Sequence, residues 1–79
     1  MVNADYSIHS LGKTVTLYDS EGNKSEAILM GVHVKSKAVL DNIPNSIADG
    51  IPPGSIAYTT GMADSWQKSF TGTWEAVDN

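Results

Sequence analysis

Cysteine is absent from this 79-residue chain, and so is arginine. Without thiols there is no disulfide, no thiolate nucleophile and no cysteine-built zinc site. A chain this short buries a limited fraction of its surface, so its own core or association with another chain must hold it. Without the guanidinium fork, bidentate phosphate recognition falls to Lys13, Lys24, Lys35, Lys37 and Lys68, which are scattered along the chain. Nine acidic residues against those five lysines give a net charge of -4 and a pI near 4.7. No counterion-releasing basic surface is available, which excludes nucleic acid as an expected partner. Long apolar runs are missing too. The longest, Ala27 to Met30, is far too short to cross a bilayer, and the N-terminus lacks a basic segment followed by an apolar one. The expectation is a cytoplasmic protein with no membrane partner, not secreted by a signal peptide.

The large apolar side chains that are present gather near the C-terminus. Both tryptophans, the single phenylalanine and one of the three tyrosines lie between Ile51 and Val77. Three short runs there, Ser55 to Thr60, Ser65 to Phe70 and Thr73 to Val77, are separated by glycine-containing turns and predict a three-stranded antiparallel meander. The final turn can be specified further. A two-residue loop at Thr71-Gly72 would force positive φ on β-branched Thr71. A three-residue loop with Gly72 left-handed in a G1 bulge avoids this. Ser69 then faces Thr73, Lys68 faces Trp74, Gln67 faces Glu75 and Trp66 faces Ala76. Both indoles share a face that must be covered, by the rest of the chain or by a partner.

Earlier in the chain, Lys13 to Asp19 alternates, with Val15 and Leu17 on one side and Thr14, Thr16 and Tyr18 on the other. Ser20 to Asn23 has turn composition, and Ile28, Met30, Val32 and Val34 continue with period two. Helix stays open for Ser25 to Met30, but Gly31, Val32 and Val34 favour a strand and hence a hairpin from about Lys13 to Val34. Met1 to Leu11 reads as a tail or a short strand with Val2, Tyr6 and Ile8 evenly spaced. Lys37 to Leu40 reads as a short extended piece, Ser46 to Gly50 as one helical turn, and Ile51-Pro52-Pro53-Gly54 as a stiff entry into the meander. The expected fold is therefore mainly β, a small single domain over residues 1–79 with an N-terminal β-hairpin and a C-terminal meander. The meander should pack on the hairpin through Val15, Leu17, Ile28, Met30, Tyr58, Trp66 and Trp74.

Motifs that carry chemistry are few. His9 and His33 are separated by a strand and a turn, with nothing in the spacing to bring them together. No serine sits in a nucleophile-elbow pattern. Asp19 to Asn23 is rich in oxygen ligands, but an EF-hand wants glycine sixth and glutamate twelfth, where this chain has Lys24 and Met30. Asn23-Lys24-Ser25 fits the glycosylation tripeptide in a chain with no secretory signal. No catalytic residue, metal ligand or cofactor is expected, and the protein reads as a non-enzyme. Tyr58, Trp66, Lys68, Trp74 and Glu75 form the candidate interaction face, with Lys68 and Glu75 as edge charges that limit uncontrolled pairing. The same aromatics allow a second reading, a small ligand- or carbohydrate-binding module.

The run Pro53-Gly54-Ser55-Ile56-Ala57-Tyr58-Thr59, followed by Trp66, Gly72-Thr73-Trp74 and Val77, resembles the ending of many small phage and prophage proteins associated with virion structure. The resemblance covers about a third of the chain and carries no catalytic residue. It implies a structural or assembly role in a host cell or virion, acting through a protein partner or a homo-oligomer.

Overall fold

A computed structural model of the chain describes residues 4–77. Five strands form one sheet in chain order: β1 (Tyr6–Tyr18), β2 (Lys24–Val34), β3 (Ile56–Tyr58), β4 (Ser65–Lys68) and β5 (Trp74–Ala76). Neighbours are antiparallel except β2 and β3, which run parallel. A parallel pair needs a crossover, because the second strand must start at the same end as the first. Residues 35–55 supply it and include two short helices, α1 (Lys37–Asp41) and α2 (Asn45–Ala48).

The core lies between this crossover and one face of the sheet. Val32, Val34, Ala57 and Trp66 come from the strands, and Leu40, Ile43 and Ile51 from the crossover. Tyr6, Ile8, Met30, Val39, Ala48 and Trp74 pack around them. Fully burying an aliphatic side chain such as Val32 contributes roughly 1.5–3 kcal/mol before the cost of ordering the chain.

The mainly β fold and the C-terminal meander are as the sequence implies. Lys68 faces Trp74, Gln67 faces Glu75 and Trp66 faces Ala76. The Ser69 N–H donates to the Thr73 carbonyl at 2.8 Å, and the Gly72 N–H closes the turn onto the Ser69 carbonyl at 3.1 Å. Gly72 has φ of 89°, the left-handed conformation that β-branched Thr71 could not take without strain. The first hairpin closes through Asp19, whose Oδ1 accepts from the Glu21 and Asn23 backbone N–H groups at 2.8 and 2.9 Å.

Three expectations are corrected. Lys37 to Leu40 is not extended but forms most of α1, where a Lys37–Asp41 ion pair at 3.0 Å spans one turn and Leu40 points into the core. The hairpin begins at Tyr6 and not near Lys13, because Tyr6 and Ile8 pair with Val34 and Val32 and pack against the core; Val2 lies outside the described residues. Finally, the meander does not stack on the hairpin. It joins the same sheet edge to edge through β2 and β3, so Val15, Leu17 and Ile28 are outside the core. The crossover takes the covering role that the sequence assigned to the hairpin.

Candidate functional site

Alternation along the strands divides the five candidate residues between two faces. Trp66, Lys68 and Trp74 share the face of Ala57 and Val32, beneath the crossover, while Tyr58 and Glu75 lie on the opposite, open face. Trp66 is only 6% exposed. Lys68 is a strut: its Nζ donates to the carbonyls of Ala48 and Ile51, each at 2.7 Å, tying the end of α2 to β4. Desolvation pushes the Lys68 ammonium below the usual lysine range, and the nearby Asp49 carboxylate offsets part of that. Its ammonium is therefore turned onto the crossover, in place of the edge role expected of it.

The open face holds an arrangement that sequence spacing did not reveal. Tyr58 stands directly opposite His33, and their rings stack at 5.1 Å with 8° between planes. His9 meets Tyr58 edge-on at 6.0 Å. The His33 Nε2 and Thr60 Oγ1 share a hydrogen bond of 2.8 Å. Gly31 makes the approach of His9 feasible, because a Cβ there would collide with the imidazole ring. The parallel pairing of β2 with β3 brings these rings together, and no local pattern announces a pairing across 25 residues. Among the described residues, no three His, Asp or Glu side chains gather closely enough to hold a metal ion.

A second feature comes from where the pairing of β2 stops. β3 accompanies β2 only from Gly31 to His33. The rest of the hairpin runs on as a two-stranded ribbon, in a molecule measuring 45 × 29 × 22 Å. At its root the register shifts: Ser10 pairs with Met30 and Thr14 with Ile28, so Leu11, Gly12 and Lys13 bulge out of β1. Gly12 takes the positive φ, 74°, that this bulge needs. Along the ribbon Tyr18 is 67% exposed and Ile28 52%. Between the ribbon and the body lies a groove of about 750 Å³. Leu17, Ala27 and Ile28 of the ribbon line it together with Pro52 and Pro53 of the crossover and the turn carrying Phe70. Phe70 is 88% exposed.

At the ribbon tip, hydrogen bonds from Asn23, backbone first, hold the Asp19 carboxyl below the usual carboxylate range. Comparison with protein-family models, curated proteins and solved structures returns no match. No helix of the described residues is long and apolar enough to cross a membrane.

Proposed function

We propose that this chain is a non-enzymatic interaction module that joins protein subunits, in the manner of a small phage or prophage assembly protein. One observation carries the reading: the ribbon beyond Met30 leaves both strand edges and several apolar side chains uncovered. An isolated two-stranded hairpin is marginal in water, and a second protein surface supplies what its own body does not. The C-terminal resemblance to virion-associated proteins supports the same direction.

In a bacterium carrying the gene, the double variant Tyr18→Asp, Ile28→Asp is expected to stop particle assembly while the purified protein keeps its circular dichroism spectrum. Normal particle yield from that variant would overturn the reading. The stacked Tyr58–His33 pair favours a second reading, a small aromatic ligand site on the open face. Saturable shifts of the Tyr58 ring resonances in a glycan titration, with normal particles from the ribbon variant, would move the assignment there.

A further inference from the structure

We propose that the groove beside β2 is a strand-acceptor slot, filled by an extended segment of another protein that carries basic and apolar residues and pairs with the free edge of β2 at Glu26 and Ile28. The inference rests on the assembly reading and adds where contact is made and by what chemistry.

Backbone geometry sets the direction of the free groups. In an extended strand the N–H and C=O of one residue point to one side and those of the next residue to the other. The Met30 N–H donates to the Ser55 Oγ at 3.1 Å, on the β3 side. Two and four residues earlier, the N–H and C=O groups of Ile28 and Glu26 therefore point the same way, into the groove and away from β1. β3 cannot be extended to meet them, because the preceding residues are Pro53 and Pro52, which have no N–H, and Gly54, which turns at φ of 93°. A row of main-chain donors and acceptors at strand spacing is matched in series only by another extended chain.

The two free edges of the ribbon differ. The outer edge of β1 is broken by the bulge from Leu11 to Lys13 and charged by Lys13, both devices that discourage pairing. The groove-side edge of β2 has no bulge, glycine or proline between Lys24 and Met30. It borders the groove through Glu26, Ala27 and Ile28. Charge selects the occupant. Two acids, Glu26 and Asp49, border the groove with one cation, Lys68, whose ammonium is held by two carbonyls of the crossover, so the lining carries one negative charge in excess. A second copy is the poorer occupant, since each copy carries a net charge of -4.

Amide hydrogen exchange on the isotopically labelled full chain tests this with three capped hexapeptides: Lys-Val-Thr-Val-Lys-Val, its Glu-for-Lys analogue, and a version with proline in place of threonine. The basic peptide is expected to slow exchange saturably at Glu26 and Ile28, leaving Ala27 and Leu29 unchanged. The acidic and proline peptides should bind at least about tenfold more weakly. Ile28→Pro deletes a groove-facing N–H and should cost about tenfold in affinity, whereas Thr16→Pro, on the outer edge, should not. Glu26→Lys keeps every backbone group and should invert the preference between basic and acidic peptides, so the idea stays testable if Ile28→Pro disturbs the ribbon. Three results would overturn the slot: no protection at Glu26 and Ile28 at millimolar basic peptide, protection at Thr14 and Thr16 instead, or protection that grows with protein concentration alone. Any of these, with particle assembly still lost in the Tyr18→Asp, Ile28→Asp variant, removes the slot and leaves the assembly reading. Normal particles would remove both.

Discussion

The two halves of β2 have the same neighbour, β1, on one side and different surroundings on the other. Val32 and Ile28 occupy the same face four residues apart, yet Val32 is fully buried and Ile28 is 52% exposed. The strand pattern is the same for both. What separates them is the chain that returns from the crossover, which covers Val32, turns at Gly54 and pairs only with Gly31 to His33. Burial here is decided by connection, and the body and the ribbon are consequently different kinds of structure within one strand. The body is a sheet covered by a crossover, and the ribbon is a hairpin without that cover.

Substitutions should register this boundary sharply. Trp66→Ala removes the largest buried side chain in the body and should cost about 3–5 kcal/mol, enough to unfold much of a domain this small. Urea titration followed by circular dichroism measures it, and a loss under about 1 kcal/mol would mean that the body is not organised around this indole. Ser55→Ala at the boundary leaves the Met30 N–H without its partner and should cost about 1–3 kcal/mol by the same titration. In the ribbon, Ile28→Ser should stay within about 0.5 kcal/mol of the parent. A cost equal to that of Ser55→Ala would erase the distinction between the two regions.

The smallest effect lies at the ribbon tip and depends on pH. Because the folded-state pKa of Asp19 is depressed, its support of the turn is complete above the usual carboxylate range and is lost as pH falls through the depressed value. Amide exchange at Glu21 and Asn23, normalised for its intrinsic pH dependence, should therefore accelerate in acid before any change at Val32. Simultaneous loss at both places would show that the ribbon and the body melt as one unit.

These boundaries bear on what could be read from the sequence. The final hairpin was legible down to its register because a single steric conflict, positive φ at Thr71, eliminated the alternative loop. The alternation of Val15 and Leu17, and of Ile28 to Val34, marked both long strands. Neither signal says how far a strand is covered: the alternation puts Ile28 and Val32 on one face and does not show that only Val32 is buried. The meeting of His9, His33 and Tyr58 was illegible for a related reason: it requires the parallel register of β2 on β3, which leaves no local periodicity. Lys68 looked like a surface charge because lysine usually is one. Only the carbonyls of Ala48 and Ile51, brought back by the crossover, turn its head inward.

The parallel junction also orders events in time. β1 and β2 meet across a five-residue turn, whereas β3 reaches β2 only after residues 35–55 have closed a far longer loop, and closure of longer loops is slower and entropically dearer. A refolding molecule is therefore expected to form the hairpin while all of β2, including Gly31 to His33, still has an open edge. At that stage the far wall of the groove beside Glu26 and Ile28 is not yet in place, and any extended chain can pair along β2. Refolding yield should accordingly fall as protein concentration rises, even where the finished protein remains fully dispersed.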